Sequence, residues 1–309
     1  MQVQVNHLRK KFGKTDALKG VSFSFGTGQI YGFVGPNGAG KTTTLRILAT
    51  LDEPGSGDAS INGVSVVQYP EKIRHLIGFM PDALPAHSDI SVHEYLDFFA
   101  RVYKIKGKER RARVEAVEEF TRLTGIRDKM LKALSKGMKQ RVSLARALVH
   151  NPPVLLMDEP ASGLDPRARV ELRELLKILS AQGKAILISS HILSELTEIC
   201  NGAVIIEQGK ILRTGSISEL TDADRPLMIL LIRPLEKEDI FYRSLLEMPN
   251  VIKVNRAGRE FAVELQGGEA ESAQLLSAII AQGHKICEFR PRRTDLEDIF
   301  MRVTRGEVQ

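Results

Sequence analysis

At 309 residues the chain is long enough for two domains, and its charged share of 27% and apolar share of 43% are those of a globular protein. A formal net charge of +6, spread along the chain, is compatible with an anionic membrane surface or with nucleic acid and singles out neither. Cys200 and Cys287 fit no metal-ligand spacing, so reduced thiols are expected. The start, MQVQVNHLRKKFG, lacks the apolar core of a signal peptide. The longest uncharged run, residues 21–40, is broken by Gly, Pro, Asn and Ser, so no membrane-spanning helix is expected.

Residues 2–34 alternate in short runs (VQVNHL, VSFSF, IYGFV) between Gly-rich turns, which predicts strands, in part antiparallel. Residues 29–34 read as a buried strand and 42–51 as a helix. Between them Gly35-Pro36-Asn37-Gly38-Ala39-Gly40-Lys41-Thr42 fits G-x-x-x-x-G-K-[ST], a loop built to hold phosphates. Its glycines let the backbone curl until several N–H groups face one anion. Lys41 adds a point charge for the β- and γ-phosphates, the Thr42 hydroxyl can ligate Mg²⁺, and the helix that follows turns its positive dipole end to the phosphates.

Residues 59–61 and 76–80 are further strand candidates. From Ser91 the pattern turns helical, with Val92, Tyr95, Leu96 and Phe99 at helical spacing, and the helical block runs to about His150, where Asn151-Pro152-Pro153 stops it. Inside it, Lys104, Lys106, Lys108, Arg110, Arg111 and Arg113 form either a solvated face or a contact for anionic lipid headgroups. No aromatic platform is interleaved, so nucleic acid is not expected. In Leu134-Ser135-Lys136-Gly137-Met138-Lys139-Gln140-Arg141, Ser135 can cap a helix and Gly137 lets its backbone approach an anion, which makes a second phosphate site. One loop cannot easily present two helix ends to one γ-phosphate from opposite sides; a second subunit can.

The apolar run 154–157 is a strand ending in Asp158-Glu159, at the strand end where open α/β sheets bind ligands. Asp158 can hold Mg²⁺ through water, and Glu159 can take a proton from an attacking water. Asp165-Pro166 opens a helix as N-cap and first residue, the helix ends near Gly183, and 185–188 is another buried strand. Helices alternating with apolar strands predict a parallel sheet covered on both faces. At 221–226 the pattern changes, dividing the chain into 1–221 and 222–309. The second part reads as strand 227–232, helix 236–247, strands 251–255 and 261–265, helix 270–282 and strand 285–289, a small α+β ferredoxin-like order. A capping box at Thr294 and Glu297 then opens a helix with Leu296, Ile299, Phe300 and Val303 on one face. This tail carries no chemistry and reads as a docking, regulatory or stabilising module.

In this order, GPNGAGKTT (35–43), LSKGMKQR, VLLMDEP, Ser162-Gly163-Leu164-Asp165 and Ser189-Ser190-His191 resemble an ABC transporter ATPase over about residues 1–220. The tail resembles the appended domain of export-type subunits for drugs, lipids and polysaccharides. The resemblance implies a P-loop NTPase α/β core with antiparallel β and helical subdomains, the helical one at about 88–150, acting on ATP with Mg²⁺. It implies Phe12 as the aromatic that stacks on adenine, Gly35 to Thr43 as the nucleotide loop, and Thr42 and Asp158 as metal residues. Glu159 is implied as general base and His191 as the bridge between γ-phosphate and water. Ser135, Lys136, Gly137 and Met138 are implied as the signature that closes on ATP of the opposite subunit, and Asp165 as the residue that crosses the dimer interface. Asp82 stands where Gln is usual, and could itself ligate Mg²⁺; Lys136 and Met138 replace Gly and Gln of the usual LSGGQ. The implied partners are a membrane-spanning permease and a second ATPase subunit, identical or related, with the chain peripheral on the cytoplasmic face of the inner or plasma membrane. The rival readings are a soluble ABC-type ATPase and a module that binds ATP without turnover. Against the first stand the lack of heptads between loop and signature, of zinc cysteines and of a second cassette; against the second stand Glu159 and His191.

Overall fold

Ile30–Val34, Val154–Asp158, Ala185–Ser190 and Gly202–Glu207 are buried at every residue. Strands with no polar face must be covered on both sides, and these four are the centre of a six-stranded sheet. A computed structural model describes residues 1–84, 89–191, 196, 198–222, 227–235 and 238–292. The chain divides into two compact units between Ile217 and Ser218.

In chain order the first unit contains β1 (Gln2–Phe12), β2 (Thr15–Gly26), β3 (Ile30–Val34), α1 (Lys41–Leu48), β4 (Ser56–Ile61), β5 (Val64–Ser65), α2 (Pro70–Arg74) and β6 (Ile77–Met80). Then come α3 (Val92–Val102), α4 (Gly107–Phe120), α5 (Lys136–Leu148), β7 (Val154–Asp158), α6 (Pro166–Ala181), β8 (Ala185–Ser190), β9 (Gly202–Glu207) and β10 (Lys210–Ser216). The large sheet has the order β10-β9-β3-β8-β7-β6, parallel except for the β10 edge. A second sheet, β2-β1-β4-β5, is antiparallel. Val3, Val5, Leu8, Phe23 and Phe25 from it share one core with Phe33, Leu156 and Leu187 of the large sheet. Register places Val34 beside Ser190 and Asp158 beside Ser189, so the carboxyl ends of β3, β7 and β8 meet.

Local chemistry explains most element ends. The helix after the phosphate loop stops at Leu48, short of the predicted 51, where Thr50 turns out at φ +58°. Helix α3 starts with a complete capping box of Ser91 and Glu94 and buries Val92, Tyr95 and Leu96. Asp165 caps α6 by accepting from Ala168 N at 2.9 Å, and α6 buries Leu172, Leu175, Leu176 and Leu179. The hairpin β9–β10 was not predicted, although Gln208 and Gly209, at φ +47° and +78°, make the two-residue turn that such hairpins favour.

Helix α7 (Ile217–Asp222) lies at the junction, and the second unit continues with β11 (Leu227–Pro234), α8 (Glu238–Leu246), β12 (Val251–Ala257), β13 (Glu260–Gln266), α9 (Glu269–Ala281) and β14 (Ile286–Arg292). Its antiparallel sheet has the order β12-β13-β11-β14. Phe241 and Leu245 of α8 and Leu275 and Ile279 of α9 pack with Leu230, Ile232, Phe261, Val263 and Leu265 in a core of its own. The helix expected from Thr294 lies outside the described residues.

His150, just past α5, stacks on Tyr103 at 3.7 Å and 8°, with Nε2 at 3.0 Å from the Ile77 carbonyl. Burial holds its pKa down to about 4. A histidine held neutral in the folded state stabilises fully above its unfolded pKa near 6.5 and loses that contribution as pH falls towards 4. Thermal unfolding followed from pH 7.5 to 4.5 should show a decline of about 1–3 kcal/mol from this group. His150→Phe should lower stability at pH 7.5 but flatten that part of the slope; an unchanged slope would remove His150 as its source.

Candidate nucleotide site

The turn between β3 and α1 needs glycine for two separate reasons. Gly38 and Gly40 have φ of +81° and +106°, where L side chains are strained. A Cβ on Gly40 would lie 2.7 Å from Leu18 Cδ2 and 2.8 Å from the Ala17 carbonyl, and one on Gly35 would strike the Ile206 carbonyl. Lys41 is 6% exposed and donates to the carbonyls of Gly35 at 2.7 Å and Pro36 at 3.1 Å. Burial pushes its pKa down, opposed by the carboxylates of Glu159 and Asp158. Ala39 is buried and its carbonyl accepts from Gly209 N at 3.0 Å, so the unpredicted β9–β10 turn supports the loop from below.

The acidic wall comes from β7 and β8. Ser189 Oγ donates to Asp158 Oδ1 at 2.6 Å and accepts from Glu159 N at 2.9 Å. Glu159 has φ +48°, an unusual value for a bulky residue and a mark of local strain. The turn aims its carboxylate between two bases: Oε1 lies 3.7 Å from Lys41 Nζ, and Oε2 lies 2.7 Å from His191 Nδ1.

Asn37, Gly38, Gly40, Lys41, Thr42, Thr43, Asp82, Asp158 and Glu159 line one cavity of about 370 Å³, together with Ala17. Thr42 is exposed there, and the Thr44 hydroxyl turns back to the Gly40 carbonyl at 2.9 Å. The donors Thr42, Asp158 and Asp82 are all oxygens, which suits Mg²⁺. Among the described residues no group of three or more His, Cys, Asp or Glu could hold a metal by themselves. Mg²⁺ bound through one or two carboxylates and a nucleotide's phosphates needs no such group.

Other residues singled out by sequence lie outside this cavity. Phe12 is 51% exposed at the end of β1, with Lys10 Nζ 5.2 Å from its ring centre; it is not a core residue. Ser135 caps α5 by accepting from Met138 N at 3.3 Å. The first turn of α5 holds no acid, and Lys136 stands in it. The Lys136 side chain crosses Gly163, where a Cβ would meet its Nζ, Cδ and Cε. A Cβ on Gly137 would make only ordinary contacts with Leu164 and Ala168, so nothing within this chain demands glycine at that place.

The family model described as "ABC transporter" matches residues 18–162, and that of the "ATP-binding protein DrrA1-3-like, C-terminal domain" matches residues 215–304. Nod factor export ATP-binding protein I of Ralstonia nicotianae is 32% identical over 307 residues, covering 99% of this chain and 95% of the relative. Its counterpart in Cupriavidus metallidurans is 33% identical, covering 99% and 98%. This chain belongs to the ABC transporter ATP-binding family. Two solved structures agree with the assignment. An ATP-binding subunit of an ABC transporter has a TM-score of 0.66 at 30% identity, over 72% of this chain and 93% of that one. A dimeric ATP-binding cassette in a post-hydrolysis state with ADP and Pi has a TM-score of 0.64 at 28% identity, over 69% and 98%.

In this ABC ATPase the motif Ser189-Ser190-His191 points by itself to His191 and assigns Ser189 no role. Only the pairing of β7 with β8 brings its hydroxyl to both Asp158 and Glu159. Ser189→Ala should leave a folded protein and cut ATPase turnover by about tenfold to a hundredfold, the worth of an unsatisfied buried partner at 1–3 kcal/mol. Steady-state ATPase assays with circular dichroism check this; normal turnover would reduce Ser189 to a packing residue.

Proposed function

We propose that this ABC ATPase is the MgATP-driven motor subunit of an exporter. It closes with a second ATPase subunit, identical or related, around two nucleotides and drives a separate membrane-spanning permease. The observation that carries the hydrolytic part is Glu159 held between Lys41 and His191 on the wall of the phosphate-loop cavity. The export part is supported by the full-length relatives, whose names say that they serve Nod factor export. Among the described residues no helix is long and apolar enough to cross a membrane. The cytoplasmic face of the inner or plasma membrane is the proposed location. Of the basic stretch, Lys104, Lys106, Lys108 and Arg111 are exposed, whereas Arg110 is 2.7 Å from Asp97, so lipid contact would rest on the former. Copurification with membranes separates this reading from that of a soluble ABC-type ATPase.

Phosphoryl transfer asks for positioning and charge stabilisation more than covalent chemistry. The loop amides and Lys41 would hold the β- and γ-phosphates. Thr42 and Asp158 would hold Mg²⁺, with Asp82 lining the same cavity; the ion would supply positive charge against the phosphate oxygens. Glu159 would take the proton of the attacking water, and His191, fixed to Glu159 through Nδ1, would orient it towards the γ-phosphate. Ser135 and Gly137 would close on the nucleotide held by the other subunit.

Glu159→Gln should retain MgATP binding, lower turnover by about 10²–10⁴-fold and accumulate an ATP-bound dimer. Binding titration, ATPase rate and light scattering read the three effects, and near-normal turnover would dismiss Glu159 as the base. In that dimer Asp82 of one copy and Lys136 of the other would approach the same γ-phosphate, the lysine offsetting the added charge. A double-mutant cycle on ATPase rate with Asp82→Gln and Lys136→Gly should find each single change harmful and the double partly restored. Purely additive effects would refute the pairing.

A further inference from the structure

Among the described residues strand β6 is an edge strand of the large sheet, paired with β7 alone. Val154 N of β7 takes the Leu76 carbonyl at 3.1 Å. Carbonyls alternate in direction along a strand, so those of Ile77 and Phe79 face away from β7. Side chains of one helix and its end meet them. His150 Nε2 lies 3.0 Å from the Ile77 carbonyl, Arg146 Nη2 donates to Phe79 at 2.9 Å, and Gln140 Nε2 donates to Asp82 at 3.1 Å. These residues follow along α5 and just past it while the carbonyls run back along β6. Gly78 makes the close approach possible: a Cβ there would strike the Ala147 carbonyl and lie 2.8 Å from both Leu155 Cδ2 and Pro152 Cγ. Gln140 is 5% exposed, so its amide is spent on this contact and not on solvent.

The two ends of this seam matter. At one, the backbone that Gln140 holds carries the Asp82 side chain into the nucleotide cavity beside Lys41, Asp158 and Glu159. At the other, the same helix begins at Ser135. We propose that Gln140 is a positioning residue for hydrolysis. It locks the Asp82 segment to α5, so that Asp82 in one nucleotide site and the Ser135 helix end, which meets the other site, move as one body. This rests on the reading that the Ser135 end closes on the second subunit's nucleotide. Arg146 and His150 fasten the rest of β6 to α5, and Gln140 is the member that reaches the loop lining the cavity.

The test uses the full chain. Gln140→Met keeps length and removes the donor; Gln140→His restores a ring N–H the same number of bonds from the backbone. Turnover is expressed per MgATP-binding site, so that loss of folded protein does not count. Gln140→Met should leave KM for MgATP within about twofold and lower kcat by about fivefold to tenfold, the worth of one neutral hydrogen bond. Gln140→His should recover at least half of that loss. In the Glu159→Gln background, Gln140→Met should raise the MgATP concentration for half-formation of the dimer by a similar factor. An unchanged kcat per site, or a loss that histidine does not relieve, would overturn the proposal. If Glu159→Gln alone forms no ATP-dependent dimer, the two-subunit reading fails, and the linkage of Asp82 to the second site falls with it. The kcat arm would then decide only whether Gln140 positions Asp82 within one site.

Discussion

The Ser189 hydroxyl is the contact on which the acidic wall depends. It joins the ends of two neighbouring parallel strands, donating a hydrogen bond to Asp158 and accepting one from the Glu159 amide. The φ of +48° at Glu159 turns that side chain out of the strand direction, between Lys41 and His191. Two carboxylates next to each other in sequence thus acquire different surroundings. Asp158 is buried and tied to a hydroxyl, whereas Glu159 faces a cation and an imidazole. Such a division suits the proposed roles, one residue near the metal and one near the water.

The opposite wall depends on glycine. The phosphate loop lies so close to β9 and β2 that side chains at positions 35 and 40 have no room, and the β9–β10 turn closes on the Ala39 carbonyl. The loop is therefore shaped from outside as much as by its own turns. Charge follows the same logic: burial weakens the proton affinity of Lys41, and the facing carboxylates restore part of it. Helix α5 adds a third constraint, because its side chains take up the outward carbonyls of the edge strand β6 and the loop beyond it. An edge with unpaired carbonyls is otherwise a liability. Here it is a joint between the sheet and the helical block.

Much of this was legible without coordinates. Fully apolar runs and their alternation with helices predicted the parallel sheet, and the G-x-x-x-x-G-K-T turn and the Asp158-Glu159 strand end contain most of the residues that line one cavity, though Gly35, Pro36 and Ala39 do not line it. The β-α-β-β-α-β order of the second unit followed from short alternating runs, with ends displaced by up to three residues, because caps and frayed turns depend on neighbours. Hairpin β9–β10 went unread although the apolar run Ala203–Ile206 signals a strand and Gln208-Gly209 a turn. What the sequence alone determined were the local items: glycines where φ is positive, caps at Ser135 and Asp165, and apolar runs too uniform to face water. Only the tertiary structure decided that Ser189 serves both carboxylates, that Gly209 supports the phosphate loop, that Lys136 lies across Gly163 and that Gln140 holds Asp82. Each is a contact between residues far apart in the chain, at distances that strand register and helix packing set and that no local pattern encodes.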